Sequence, residues 1–538
     1  VGLFYLYPAR PRFIQRTCVL NFNKMIAHIP NMCYSKSSAA ARGVHTEQRR
    51  LPRNRFTSYK TKGRCAMQAY NPYLPSWEYT PDGEPHVFGD RVYVYGSHDQ
   101  FRGPVYCLND YVCWSAPVDN LKDWRYEGVI YPKVSDPLNK DGSMCLYAPD
   151  VTQGPDGRYY LYYVLDLGDI VSGAVCDTPA GEYKFYGYVH HPDGTYLGRG
   201  EGDEPQFDPG VLTEGDRTYL YTGFCWGDDP TRHGPMVTVL DRDMLTVIEG
   251  PNIIMPSGCY SSGSGYEGHE FFEASSIRKF GDTYYFVYSS VVMHELCYAT
   301  SKYPDRGFKF GGVIVSNNDI GISTYKPAEK PMFYGANNHG GLVKVGDDYY
   351  IFYHRHTDGT NYSRQGMAER VTLLPDGSIP QVEMTSCGLN GGPLEGRGTY
   401  PAYIACNLFT SEDNMYTGGS GKNGFWLDGR FPRITQDGRD GDREPGYIMN
   451  MADTATCGFK YFDCRGISRI TLRVRGYAGG CFIVKTAWDG PELGRVPLRF
   501  TNIWTDFSAD VAIPDGVNAI YLTYSGGGNA SLLSFTLE

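Results

Sequence analysis

The chain has 538 residues, with Lys+Arg 50 against Asp+Glu 60 and a formal net charge of −10. That length suits two or three domains, and 41% hydrophobic against 20% charged residues excludes a disordered chain. No run approaches the ~18 consecutive apolar residues of a membrane helix, and the mild acidity argues against nucleic acid as a partner.

Residues 1–66 stand apart. They hold 13 Lys+Arg and one acid, Glu47, so they carry +12, and the remainder carries 37 − 59 = −22. A basic, acid-poor leader can be a transit peptide. The simpler expectation is sequence upstream of a start at Met67, with no part in the fold. No charged segment followed by an apolar stretch and a small-residue cleavage site is visible. A start at Met67 then implies a cytoplasmic protein, with an extracellular one left open. The 15 cysteines are scattered, without CxxC or zinc spacing. Reduced thiols are expected, although Cys107 and Cys113 are near enough in sequence to pair.

After Met67 one pattern returns five times: a Gly, usually beside Asp, then a Tyr-rich alternating run. It reads VFGDRVYVYGS (Val87–Ser97), PDGRYYLYYVL (Pro155–Leu165), EGDRTYLYTGF (Glu214–Phe224), FGDTYYFVYSS (Phe280–Ser290) and VGDDYYIFYHR (Val345–Arg355). The marker glycines Gly89, Gly157, Gly215, Gly281 and Gly346 are 68, 58, 66 and 65 residues apart. Each unit predicts a hairpin with a Gly turn. With 45 Tyr and 65 Gly, the whole points to an all-β fold. Repeats of this kind suggest a solenoid or a propeller; the steps exceed the usual ~40–50 residues of a blade, and five four-stranded blades with longer loops would fill 67–386.

Seven residues before the first three glycines stand Asp82, Asp150 and Asp208. Eight before Gly281 stands Glu273, and seven before Gly346 stands His339. Equivalent positions of successive blades surround one axis, so four carboxylates and an imidazole would converge. Crowded like charges raise at least one carboxyl pKa. Carboxylates in two protonation states are what glycoside hydrolysis uses.

Taken together, these segments resemble glycoside hydrolase family 43, a five-bladed propeller family. The matching stretches are NPYLPSWEYTPDGEPHVFGDRVYVYGSHD (Asn71–Asp99), YAPDVTQGPDGRYYLYY (Tyr147–Tyr163), FDPGVLTEGDRTYLY (Phe207–Tyr221), FFEASSIRKFGDTYYFVYS (Phe271–Ser289) and NNHGGLVKVGDDYYIFYH (Asn337–His354). The resemblance implies an inverting hydrolase with Asp82 as general base, Asp150 as orienter and pKa tuner, and Glu273 as general acid. The family usually shows Asp-Pro at the base. Here the run is Pro81-Asp82-Gly83-Glu84-Pro85, and a slip of two residues would select Glu84. Asp208 matches a position that is structural or only lines the site. His339 matches a His that contacts water or a metal ion, frequently calcium, so a structural calcium held through water is allowed for, with no cofactor required. Arg364, in SRQGMAERVTLLPDG, resembles a substrate-contacting Arg, and Trp77 can stack on a sugar ring. The implied substrate is terminal α-L-arabinofuranose, or β-D-xylose, on plant cell-wall glycans such as arabinoxylan or arabinan. The alternatives are a β-xylosidase of the same family and a non-catalytic glycan-binding propeller. No nucleic acid or membrane partner is implied.

A Gly-rich break begins at Cys387, and 387–399 reads as a linker. From Tyr400 to Glu538, short alternating strands with frequent turns predict a β-sandwich. This part is similar to carbohydrate-binding module family 6, a jelly-roll, in ITLRVRG, ELGRVPL and IYLTYSGGGNASLLSFTL. Trp426, Trp488 and Trp504 are expected in its core rather than on a sugar platform.

Overall fold

Each repeated motif folds as the hairpin that its alternation predicts. In a computed structural model of the chain, residues 68–166, 169–226, 228–411 and 431–538 are described. They are all-β, with only short 3-10 turns as helical content. The first sheet comprises Glu84–Phe88, Arg91–Tyr95, Tyr111–Pro117 and Arg125–Tyr131. The second comprises Asp150–Gln153, Tyr159–Tyr163, Ser172–Cys176 and Lys184–Tyr188. The third comprises Gly210–Glu214, Arg217–Thr222, Met236–Leu240 and Val247–Ile253. The fourth comprises Phe271–Phe280, Thr283–Ser290, Glu295–Ser301 and Lys309–Ser316. The fifth has three strands, Leu342–Val345, Asp348–His356 and Arg364–Val371. The marker glycines all turn in the left-handed region, at φ 62, 84, 60, 58 and 61°, where a side chain would be strained.

The Tyr-rich strands alternate because each serves two cores. Tyr160 and Tyr162 pack with Val211 and Leu220 of the third sheet. Leu161 and Tyr163, pointing the other way, pack with Tyr95 and Tyr111 of the first. Tyr219 and Tyr221 join Phe271 and Phe286 of the fourth sheet. Tyr285 and Val287 join Leu342 and Ile351 of the fifth. Val343 and Phe352 of the fifth return to Val94 and Trp114 of the first. The five sheets therefore form a closed ring, and their first strands lie side by side in the same cyclic order. A parallel bridge, Gly83 to Gly340, joins the first sheet to the fifth. A Cβ at Gly340 would lie 1.9 Å from the Phe352 carbonyl oxygen, so only glycine permits that approach. Asn71 completes the closure: its side-chain amide donates to Ala368 O at 2.9 Å and Glu369 Oε1 at 2.8 Å, and its oxygen accepts from Ala368 N at 3.0 Å.

The C-terminal part contains two six-stranded sheets. One is built on Thr456–Cys464, Gly516–Ser525 and Cys481–Lys485, the other on Tyr447–Met451, Ala530–Leu537, Arg469–Gly476 and Thr501–Asp510. Their facing residues, such as Phe459, Leu522, Leu472 and Phe535, share one core that continues into the core between the fourth and fifth sheets. Within 387–399, Leu394–Glu395 pairs parallel with Phe462–Asp463. Buried Lys460 reaches back to Asp319 Oδ2 at 2.9 Å and Glu383 Oε2 at 3.2 Å. Arg355 of the ring donates to Tyr403 O at 2.7 Å and Ala405 O at 2.8 Å. Trp488 packs on the Met332 and Phe409 cluster, Trp504 lies under Arg475, and Trp426 is outside the described residues. Cys107 and Cys113 are both buried free thiols and form no disulfide.

Candidate active site

The starts of the ring's inner strands open into a cavity of about 280 Å³. Asp82, Asp208, Glu273, His339 and Arg364 line it, together with Tyr106, Phe207, Phe224, Trp226 and Phe272. The structure thus brings together four of the predicted residues, Asp82, Glu273, His339 and Arg364. Asp208, expected to converge or line the site, stands with them, and Asp150 and Trp77 do not line this cavity.

Asp150 is displaced by the length of a turn. In the second hairpin Gln153 pairs with Tyr159, so five residues, Gly154–Arg158, make the turn. The other four hairpins turn through two residues. Gly157 sits late in its longer turn, so counting back seven stops too close to the sheet. Asp82 and Asp208 each stand two residues before their strand, with φ 57 and 43°. Asp150 is the first residue of its strand. The position two residues before that strand is Ala148, and Ala148 does line the cavity. Asp150 belongs one layer deeper. Its Oδ1 lies 2.6 Å from His86 Nε2, and its Oδ2 accepts from Val211 N at 2.8 Å. Glu84, also the first residue of its strand, occupies the same layer and binds Arg278 Nη2 at 2.7 Å.

Trp77 lines a different cavity, beside Trp114 and Arg443.

The backbone is strained around the three cavity carboxylates. Besides Asp82 and Asp208, Ala274, which follows Glu273, sits at φ 70°. A bulged register at Phe271–Ser276 accompanies it. Non-glycine residues held this way cost about 1–3 kcal/mol each and concentrate at functional sites. Here the strain turns side chains at the strand starts into the cavity.

The charges divide the carboxylates into two states. Burial pushes the Asp82 carboxyl up, but the Arg364 guanidinium, with His354 beside it, outweighs burial and holds it well below the usual range. Arg364 Nη1 donates to Asp82 Oδ1 at 2.8 Å, and His354 Nδ1 lies 3.2 Å from the same oxygen. Arg364 is in turn fixed by Asp99, through Nε to Oδ2 at 2.9 Å and Nη2 to Oδ1 at 3.0 Å. Burial pushes Glu273 well above the usual carboxyl range, and the charges of Asp208 and Asp82 add to it against His339 and Arg364. No hydrogen-bond donor holds the Glu273 carboxyl among the described residues. Asp208 is also raised by burial, while its bond to His339 and the Ala274 amide at 3.2 Å favour its anion. The site thus pulls its carboxyls apart: Arg364 and His354 favour the Asp82 anion, burial and the neighbouring acids favour the protonated Glu273, and in Asp208 burial is opposed by His339 and the Ala274 amide.

His339 lies between carboxylates, with Nδ1 3.5 Å from Asp208 Oδ2 and Nε2 3.9 Å from Glu84 Oε1. Burial pulls its pKa down, but Asp208 above all, then Asp82 and Glu84, push it up to about 9. His339 offers a nitrogen, so the calcium that the sequence allows for would draw most of its oxygens from water. Calcium takes six to eight oxygens. Among the described residues Glu84 Oε1 is a fully buried oxygen near His339 without a hydrogen-bond partner, while Arg278 and Ser276 donate to Oε2. Protonated, His339 is itself a cation beside these carboxylates.

Sequence reasoning passed over Asp99, His354 and the role of Asp208. Asp208 was within reach, since it stands seven residues before its glycine as Asp82 does.

The glycosyl hydrolases family 43 model matches residues 76–379, more than half of the chain. A xylosidase/arabinosidase of Thermoclostridium stercorarium is 68% identical over 470 residues, covering 87% of this chain and 99% of that protein. A xylosidase/arabinosidase of Bacteroides ovatus is 28% identical over 59% of this chain and 99% of its own length. Among solved structures, a family 43 arabinoxylan arabinofuranohydrolase from Bacillus subtilis, in complex with cellotetraose, aligns at TM-score 0.46 and 18% identity over 87% of this chain and 97% of its own. That last likeness is too loose to carry an argument. The chain belongs to family 43 of the glycosyl hydrolases, and it is a glycoside hydrolase.

Proposed function

We propose that this cavity removes a terminal pentose, α-L-arabinofuranose or β-D-xylose, from plant cell-wall glycans, with inversion at the anomeric carbon. The observation that carries the reading is the pairing, in one cavity, of an Asp held ionised by Arg364 with a Glu held protonated by burial and Asp208. Two carboxyl groups pushed to opposite states are the acid and base of a glycosidase. Glu273 gives its proton to the departing glycosidic oxygen. Asp82 takes a proton from the water that attacks the opposite face of the sugar. The tuning role moves from Asp150 to Asp208, whose charge keeps Glu273 protonated and whose orientation His339 and the Ala274 amide fix. Phe207, Phe224, Phe272 and the half-exposed Trp226 supply faces for a sugar ring. A cavity of about 280 Å³ suits one end of a glycan rather than the middle of a long chain, which supports exo action. The name of the 68%-identical relative joins both pentoses, and it supports the substrate class without choosing between them.

In the same reading, the closed ring is a five-bladed β-propeller over 67–386 that carries catalysis. Residues 400–538 form a jelly-roll sandwich of the carbohydrate-binding kind, joined through 387–399. The test is purified protein on paired nitrophenyl α-L-arabinofuranoside and β-D-xyloside, with Glu273→Ala alongside on an unactivated oligosaccharide. Turnover of either glycoside, with loss of oligosaccharide cleavage in the variant, supports the reading. A wild type silent on glycosides and oligosaccharides alike would refute it.

A further inference from the structure

A second cavity, of about 360 Å³, lies where the outer part of the first sheet meets the segment around Asp440–Arg443. It shares no lining residue with the catalytic cavity. Its walls are aromatic and set at angles. Trp77 and Trp114 lie 6.3 Å apart at 54°, and Trp114 and Tyr126 lie 5.2 Å apart at 55°. Tyr126 is 45% exposed, so a ring face is open to an incoming ligand.

The acidic groups in this cavity are already committed. Glu78 accepts from Trp114 Nε1 at 3.2 Å and pairs with His98 Nε2 at 3.0 Å. Asp440 accepts from Phe101 N at 2.7 Å and from Asn109 Nδ2 at 3.1 Å. Arg443 lies over the Trp77 ring at 5.2 Å, and among the described residues its guanidinium makes no hydrogen bond or ion pair. Facing these two acids are Arg443 and His98, whose pKa the bond to Glu78 raises against burial. What remains is aromatic faces with an uncommitted multiple donor at the rim. That combination suits a neutral, hydroxyl-rich ring, which offers C–H faces to aromatics and oxygens to donors.

The cavity is also preformed. Tyr79 OH donates to Gln436 Oε1 at 2.8 Å, and Gly446 N donates to Ser76 Oγ at 2.9 Å, so both walls are tied across the junction. Trp77 in the second cavity was expected on sequence grounds to meet a sugar in the first. The loop 97–110 borders both cavities: His98 and Asn109 face the second, Tyr106 and Cys107 face the first. Between them Asp99 holds Arg364.

We infer that this junction cavity is a second glycan site, separate from the catalytic one, which holds a neutral pentose oligosaccharide of the substrate. The ligand class rests on the proposed function; the cavity and its donors do not. A glycan seated there would anchor the polymer beside the catalytic cavity and brace the loop that carries Asp99.

The test is calorimetric titration of Glu273→Gln protein with xylohexaose, against the same protein carrying Tyr126→Ala and Arg443→Ala. Both added changes are at the rim and leave the Glu78 and Asp440 bonds in place. The expected result is the loss of one binding event per chain, with the thermal melt of the parent retained. An isotherm identical in the two proteins, or a parent that binds no xylohexaose, would overturn the inference. A parent with one event, lost in the variant, would support the second site while counting against the catalytic reading, so the two fail separately. A folded variant is assured by the melt; should it shift, Arg443→Ala alone gives the same test.

Discussion

Replacing Asp208 by Asn tests the assignment that departs most from the sequence. Hydrolysis of a poor leaving group needs Glu273 protonated, so the alkaline limb of kcat/KM follows the Glu273 pKa. After burial, Asp208 is the largest influence raising that pKa. An opposite charge within about 4–6 Å typically moves a carboxyl pKa by about one to three, and a like charge acts in the other direction. Part of this cancels. His339, 3.5 Å from Asp208, owes its rise to about 9 chiefly to that partner. In Asp208→Asn it loses charge and so ceases to lower Glu273. The net expectation is the low end, about one unit or ~1.4 kcal/mol, with the limb moved toward lower pH. Asp150→Asn should leave the limb in place, because Asp150 faces His86 and Arg278 in the layer below. The assay is a pH profile on an unactivated pentose oligosaccharide. An unmoved limb in Asp208→Asn with a displaced one in Asp150→Asn would return the tuning role to Asp150.

Other substitutions probe the remaining roles. Asp82→Asn should abolish turnover while Glu84→Gln stays active; the opposite pattern would move the base to Glu84. Glu273→Ala should slow cleavage of unactivated oligosaccharides by about 10²–10⁴-fold, with a much smaller loss on aryl glycosides whose leaving group needs no proton, and equal losses on both would count against the acid role. Arg364→Lys leaves one ammonium for two acids, Asp82 and Asp99. The Asp82 pKa should rise, so activity should fail first on the acid side, and a profile with the wild-type acid limb would contradict the proposed hold on the base. Lys460→Met strips buried Asp319 of its cation, and breaking such a pair costs about 3–5 kcal/mol. A clear drop in Tm is expected, partly recovered by adding Asp319→Asn; an unchanged Tm would show that this link carries no stability.

The ring was legible because its physics is local and repeated. An alternating Tyr strand between two neighbouring sheets must supply both cores, and a two-residue turn must begin with a residue free to take positive φ. Asp82, Asp208, Glu273 and His339 followed from counting within that frame, and Arg364 from the family resemblance. Asp150 did not, since the count assumes equal turns, and the five-residue turn at Gly154–Arg158 shifts the frame. Nothing near Asp150 in sequence records that its carboxylate meets His86, 64 residues away. The Asp99–Arg364–Asp82 chain spans separations of 265 and 282 residues, and only folding brings it together. Trp77 has the chemistry of a sugar platform, but its place depends on a segment more than 360 residues later. The C-terminal strands were legible one by one from alternation. Their shared core with the fourth and fifth sheets was not, because an apolar strand face does not say which surface it meets.

The most direct measurement of the central claim is proton NMR of the sugar at the moment of release from an aryl β-D-xyloside or α-L-arabinofuranoside. An ionised Asp82 acting on water, with Glu273 as the acid, predicts that the first anomer seen has inverted configuration and mutarotates afterwards. First appearance of the retained anomer would make a carboxylate the nucleophile and contradict the account.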